Sequence, residues 1–254
     1  LPVGALATVV DEWSGVAFWA VVLVASLRVL RSTATATGDA TAARELLLTE
    51  GGSALSWQAT WPGNSYWFAP DGRAAVAYRV IGRIALTTGD PFGAADARGL
   101  AVARFARFCT EHAWTPCFYS VGEETRAAAE ELGWDAVQVA EETVVALPEL
   151  AFTGRKWQDV RTALNKAGKA GITAEWISVR SAPLALTDQI RAISEEWVAD
   201  KGLPEMGFTL GGLDELDDEQ VRCLVAVDAD RTVHGVTSWL PAFRDGKIAC
   251  WTLD

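Results

Sequence analysis

The chain is poor in cysteine, histidine and positive charge. Its 254 residues hold four cysteines and two histidines. Cys109, Cys117, Cys223 and Cys250 form no Cys-x-x-Cys pair, and neither His112 nor His234 has a second ligand at helical or turn spacing. That argues against a structural zinc site, which takes its ligands from closely spaced pairs. It argues equally against a disulfide framework, which a protein of this size does not need, so reduced thiols in a cytosolic setting are the simpler account. Lys and Arg number 22 against 33 Asp and Glu, a formal net charge of -11. Any attraction to an anionic partner must therefore come from a local reversal of charge.

Long apolar runs are scarce too. Residues 15–27 are uncharged, but they fall short of the roughly 20 residues that span a bilayer unless Arg28 snorkels and Val29 and Leu30 are counted. Asp11 and Glu12, rather than basic residues, precede the run, which argues against a signal peptide. Arg28 and Arg31 follow it, and by the positive-inside tendency they place the rest of the chain in the cytoplasm. A buried amphipathic or core helix is the alternative for this stretch.

What is present is globular. Half of the residues are hydrophobic, enough to bury the core of one large domain or two small ones. Several of the twelve tryptophans sit in polar surroundings, as in Ser56-Trp57-Gln58 and Tyr66-Trp67. There an amphipathic ring meets either lipid or a cleft, although core packing is the commoner role.

The small-residue passage 33–41 reads as a linker. A short helix is expected from Ala40 to Glu50, ended by Gly51-Gly52. Residues 73–80 and 83–88 suit antiparallel strands turning at Gly82. Then come a helix over 95–112, a strand over 117–121, a helix over 123–132 capped by Gly133, and a strand over 136–147. After the segment that begins at Gly154, a strand is expected at 172–179 and a helix at 187–201 carrying Ile190, Ile193, Trp197 and Val198 on one side. Three closing strands follow, near 223–227, 233–240 and 247–253. This mixture indicates an α/β or α+β structure with helices packed on sheet.

The local reversal of charge lies between Gly154 and Gly171. In a helix at about 100° per residue, Trp157, Val160, Leu164 and Ala167 share one face, and Arg155, Arg161, Asn165, Lys166 and Lys169 share the adjoining one. The apolar side should pack. The basic side faces either a phosphate-bearing partner or only solvent.

Several stretches together resemble one family. They are Trp61-Pro-Gly-Asn-Ser-Tyr-Trp-Phe68, Val76-Ala-Tyr-Arg-Val80, Gly89-Asp90-Pro91, Phe118-Tyr119, Arg161-x-x-x-Asn165-Lys166 and Lys201-x-x-x-Glu205-x-Gly207-Phe208-x-x-Gly211. In order and spacing they are similar to the cytoplasmic catalytic domain of the aminoacyl-phosphatidylglycerol synthases, the phosphatidylglycerol lysyltransferases of the multiple peptide resistance factor family. The similarity runs over about residues 46–254. It implies tandem acetyltransferase-like (GNAT) folds, the second one truncated, preceded by an apolar N-terminal helix. The corresponding division is 1–32 as the end of a membrane domain, 33–45 as linker, 46–152 as the first fold and 153–254 as the second.

The resemblance implies transfer of a lysyl or alanyl group from aminoacyl-tRNA to the glycerol hydroxyl of phosphatidylglycerol, on the cytoplasmic side of the cell membrane, with no cofactor or metal. Exchanging one ester for another needs substrate positioning, a proton acceptor and oxyanion donors. In the family a late strand carries Asp-Leu-Met-Arg near the reaction centre, and Trp251-Thr-Leu-Asp254 matches its approach and first residue. Asp254 is therefore the catalytic or substrate-orienting candidate, against a solvated terminal aspartate. Because the arginine that should follow is absent from the sequence, the chain by itself is expected to be inactive.

Arg161, Lys166 and Lys169 are expected to hold phosphate of tRNA or lipid, and Asn165 to orient an acyl or ribose group. Lys201 and Glu205 either form an ion pair or read the substrate's amino group. Asp90 is expected to cap a turn or helix rather than act as a base. Two rivals stand beside this reading. A coenzyme A dependent N-acyltransferase would need a pyrophosphate-cradling loop at a helix start, to which Asn165–Ala170 is a poor match. A non-catalytic membrane-anchored binding module on the same fold would suit the acidic total.

Overall fold

The structure, a computed structural model, describes residues 39–201, 211, 212 and 214–254. The expected apolar helix within 1–32 and the carboxylate of Glu205 lie outside the described residues.

Helix α1 (Ala40–Thr49) starts where Asp39 accepts the Thr41 amide, and it buries Ala43 and Leu47 one turn apart. This is the helix expected from Ala40 to Glu50, and it takes in the last six residues of the 33–45 division. A 3-10 turn (Ser56–Thr60) follows, then β1 (Ser65–Phe68), β2 (Ala74–Ile81), β3 (Ile84–Thr87) and β4 (Phe92–Gly93). Strand β2 is the centre of the first sheet: it pairs antiparallel with β1, β3 and β4. Its first five residues are buried, as a strand covered on both faces must be. Gly82 turns the β2–β3 hairpin at φ +63°, a conformation that favours glycine.

Helix α2 (Ala95–Glu111) carries Ala97, Ala101, Phe105 and Cys109 inward at four-residue intervals. It returns the chain to β5 (Thr115–Cys117), parallel to β3. The strand expected over 117–121 therefore sits two residues early. Helix α3 (Glu123–Glu130) completes this part. Tyr78, Phe105, Cys109 and Trp114 form an aromatic core between sheet and α2, with Trp67, Phe108 and Phe118 packed around it. Trp57 is a core residue and Trp67 packs half-buried against the aromatic core.

The strand expected over 136–147 does not form. The segment has no regular secondary structure, and Val137, Val144 and Leu147 are 83%, 80% and 71% exposed. A strand is stabilised by neighbours across a ladder, and none of the described strands runs beside this one.

Helix α4 (Gln158–Lys169), led in by a 3-10 turn at Arg155–Trp157, buries no residue. The packing expected of its apolar face is corrected: Leu164 is 57% exposed. Strands β6 (Thr173–Ile177), β7 (Arg222–Val227), β8 (Val233–Arg244) and β9 (Lys247–Leu253) form an antiparallel sheet in that order. Between β6 and β7 comes α5 (Leu184–Lys201), which places Leu186 and Ile190 over Cys223, Val225 and Val227. Trp197, expected on the packed side of α5, is 55% exposed. None of the described helices is long and apolar enough to cross a membrane.

The largest core is shared by the two sheets. Ala43, Leu47, Trp57, Trp61, Tyr66 and Phe92 from the first half pack with Ile190, Leu216, Val221, Val225 and Leu240 from the second. Gly51 stitches the halves together. Its carbonyl accepts the Gly93 amide of β4 at 2.9 Å, while it bridges Arg244 of β8 in an antiparallel pair. Its φ is +90°, and a Cβ there would lie 1.9 Å from the Phe243 carbonyl oxygen. Replacing Gly51 by alanine should therefore cost about 3 kcal/mol, from the disfavoured dihedral and the displaced β8 backbone. Urea unfolding checks this, and a loss below about 0.5 kcal/mol, the ordinary size of a surface change, would contradict the stitch.

Candidate functional site

The loop Trp61-Pro62-Gly63-Asn64 leaves the first 3-10 turn and is fastened from behind. The Asn64 side-chain amide donates to the carbonyls of Gln58 and Ala59, each at 3.1 Å. Its oxygen accepts from Arg79 Nε at 2.9 Å and from the Thr88 hydroxyl at 3.3 Å. Arg79 also donates to the Pro62 carbonyl, and the Tyr66 hydroxyl to that of Ala59. Buried polar groups satisfied in this way specify one arrangement, and what it holds is Trp61, 4% exposed. The indole N–H of Trp61 is buried without a hydrogen-bond partner among the described residues.

Trp61 walls a cavity of about 450 Å³ whose other lining residues are Arg44, Thr60, Pro62, Arg180, Asp214, Glu215, Asp217, Asp218 and Glu219. Five carboxylates thus face two guanidinium groups. The acidic segment is pinned by Leu216, which inserts into the shared core. Arg44 of α1 grips Asp218 with two bonds of 2.6 and 2.8 Å and lies 4.7 Å over the Trp57 ring. Burial disfavours the Asp218 carboxylate, yet the bonds from Arg44 and the Gln220 amide outweigh it and hold its pKa below the ordinary value. Glu215 accepts the Gly212 amide at 2.8 Å. Asp214 and Asp217, both exposed, form no ion pair among the described residues.

Asp254, which does not line that cavity, approaches Trp61 at Gly211. Its backbone N–H donates to Ser238 on β8 at 3.0 Å, which fixes the residue at the end of the β8–β9 ladder. Both carboxylate oxygens accept from the Gly211 amide at 3.2 Å. Gly211 is where the two side chains converge: a Cβ on it would lie 2.6 Å from Asp254 Oδ2 and 3.2 Å from Trp61 Cζ2. Burial, and then the negative charge of Glu215, push the Asp254 pKa above the ordinary aspartate value against the bonds from Gly211 and Ser238. A carboxylate raised in this way is a better proton acceptor near neutral pH than a solvated one.

The other residues singled out in the sequence lie elsewhere. Asn165, Lys166 and Lys169 are exposed on α4, and Arg161 turns back to donate to the carbonyls of Phe152 and Gly154 at 2.8 Å. None of the four lines the cavity. Lys201 is the last residue of α5. Asp90 accepts the Gly122 amide just ahead of α3, 3.0 Å away, a bond between distant segments and not a side-chain cap of that helix. The sequence reading passed over the cavity itself. Its visible trace was the run Asp214–Glu219, five carboxylates around Leu216, but Arg44 and Trp61 join it only in the folded chain.

An uncharacterised protein of Corynebacterium glutamicum is 40% identical over 250 residues, covering 96% of this chain and 32% of that relative. A lysylphosphatidylglycerol biosynthesis bifunctional protein of Nocardia farcinica is 32% identical over 192 residues, 76% of this chain and 17% of the relative. The chain therefore spans a third or less of the curated relatives it matches. Among solved structures, L-PGS from Bacillus licheniformis superposes with a TM-score of 0.76 at 22% identity, over 86% of this chain and 66% of that one. The C-terminal domain of a putative lysylphosphatidylglycerol synthetase from Agrobacterium fabrum gives 0.72 at 21%, over 85% and 66%. These two share the mixed α/β fold. Residues 44–254 match the family described as phosphatidylglycerol lysyltransferase, C-terminal, and the chain belongs to that family.

Proposed function

We propose that this chain is the transferase part of a membrane-associated enzyme that moves an aminoacyl group, lysyl or alanyl, from aminoacyl-tRNA to the glycerol hydroxyl of phosphatidylglycerol. The observation that carries the reading is the family match over residues 44–254; the relatives named for lysylphosphatidylglycerol support it. The two sheets are the cores of tandem acetyltransferase-like folds, divided near residue 152 and joined through the shared core.

Asp254 is the proton acceptor. The glycerol oxygen attacks the ester carbonyl carbon as its proton passes to the Asp254 carboxylate. The bond from that carbon to the ribose oxygen of tRNA then breaks, and the ribose oxygen takes the proton back. Nothing is consumed besides the activated ester. The exposed basic face of α4, with Lys166 and Lys169, contacts phosphate of tRNA or lipid, and Asn165 and Arg161 lie beside it. For Lys201 and Glu205 the reading stays that of the sequence, an ion pair or recognition of the substrate's amino group. The coenzyme A alternative is weakened by α4 itself, since Asn165–Ala170 sits at the C-terminal end of that helix, where carbonyls rather than N–H groups are free for a ligand.

The test is to incubate membranes from cells expressing the whole protein with radiolabelled lysyl-tRNA or alanyl-tRNA and to resolve the lipids. Labelled aminoacyl-phosphatidylglycerol is expected from at least one donor. No labelled lipid from either would remove the transferase reading and leave the non-catalytic binding module.

A further inference from the structure

We infer that α4 and the chain leading into it form a membrane-contact surface: Leu164 and its apolar neighbours enter an anionic bilayer surface, while the cations of residues 155–169 meet its phosphates. The inference rests on the reading above that α4 meets phosphate, and it assigns that phosphate to lipid.

The apolar side of α4 lacks a cover among the described residues. Twelve residues that include Asn165 and Gly168 make a helix that propensity alone stabilises little, and such helices are ordinarily held by packing of their apolar side. Yet α4 buries no residue. Val160 and Ala167 are half-buried along that side, and Leu164 between them is exposed. The lead-in extends the same side. Trp157 precedes the helix, and the Phe152 ring meets it edge-on at 5.2 Å, with Arg161 donating to the carbonyls of Phe152 and Gly154. Phe152 and Leu150 are exposed too, as are Val144, Val145 and Leu147 just upstream.

Charge identifies the occupant. Residues 154–171 hold five cations and one carboxylate, in a chain whose net charge is -11. Lys166 and Lys169 stand in the last turn, exposed and pointing away from the Leu164 side, and Lys156 lies 5.3 Å from the centre of the Trp157 ring. A helix with cations on its polar side and Trp, Leu and Val on the other is the form that lies in a lipid interface. A tryptophan at its end suits the headgroup level. Two other occupants fit less well. Nucleic acid would satisfy the cations but leave Leu164 and Phe152 in water. A second copy docked by the same side would bring two sets of the same cations together.

The experiment places a reporter on the helix. In the full 254-residue chain the two exposed cysteines are removed as Cys117→Ser and Cys250→Ser, while Cys109 and Cys223 are buried. A nitrobenzoxadiazole dye is attached at Leu164→Cys or, on the opposite side of the helix, at Thr162→Cys, both exposed positions. With phosphatidylcholine vesicles that contain phosphatidylglycerol, emission from 164 should brighten and move to shorter wavelength, and emission from 162 should stay as in buffer. Lys166→Gln combined with Lys169→Gln should lower the ratio of inserted to free signal about tenfold or more, at roughly fivefold for each charge near a lipid surface. Vesicles of phosphatidylcholine alone should lower it likewise. No change at 164, equal changes at 162 and 164, or a signal indifferent to both charge tests would overturn the assignment. So would a change at 164 produced by tRNA without vesicles, which gives the surface to nucleic acid, or by raising the protein concentration alone, which gives it to a second copy. The transferase reading fails separately. Labelled lipid from a protein whose position 164 stays in water removes this inference and leaves the transferase, and insertion of 164 by a protein that labels no lipid does the reverse.

Discussion

Changing Asp254 to asparagine is expected to lower aminoacyl transfer by about two to four orders of magnitude, the usual contribution of a positioned general base. The amide is nearly the same shape, and its oxygen can still accept from the Gly211 amide that now holds the carboxylate, so the fold should persist. The reason for the loss is protonic. The unmodified carboxylate has its pKa raised by burial and by Glu215, and it must be ionised to receive the hydroxyl proton. Activity should therefore fall on the acid side at a pH above the ordinary aspartate range. Glu215→Gln removes a like charge, lowers the Asp254 pKa and should move that acid limb to lower pH. Rates at several pH values with saturating donor measure both effects. An Asp254→Asn enzyme with undiminished turnover, or an acid limb that ignores Glu215, would show that the proton goes elsewhere.

Trp57→Ala should remove about 3–5 kcal/mol of stability, the cost of emptying a large aromatic site in a packed core. Trp57 is 1% exposed. Its ring lies 5.6 Å from Phe243 of β8 and carries the Arg44 guanidinium above it. It therefore touches both the seam between the sheets and the ion pair that shapes the cavity. Because the core is shared, loss at this one position should lower a single unfolding transition as a whole, with little change in the denaturant slope. Chemical unfolding followed by fluorescence and by far-ultraviolet circular dichroism tests it. Two separated transitions, with only one of them displaced by Trp57→Ala, would mean that the halves are independent after all.

Local order was legible where the signal was local. The helix at 95–111 could be read because apolar residues recur at its turns, and the β2–β3 hairpin because Gly82 punctuates two apolar runs. The same logic misjudged residues 136–147, whose alternating valines have strand propensity but no ladder to join. It misjudged α4 as well: amphipathic spacing predicts a buried face only if another element arrives to cover it, and among the described residues Leu164 remains exposed. Propensity belongs to a segment, whereas burial belongs to a pair of surfaces.

The candidate site divides along the same line. Asp254 could be named from its place after Trp251-Thr-Leu, and the order of short motifs sufficed for the family. The basic run near residue 165 was the loudest charge signal, yet none of its residues lines the cavity beside Trp61. The acidic one does, because Arg44 reaches Asp218 from 174 residues away and Leu216 anchors the loop between them. By itself the sequence determined which helices and strands this chain can make and to which family it belongs, since both are written in spacings of a few residues. Only the tertiary structure decided that the cavity beside Trp61 would be acidic. Electrostatic character is a sum over groups brought together by packing, and no local window contains that sum.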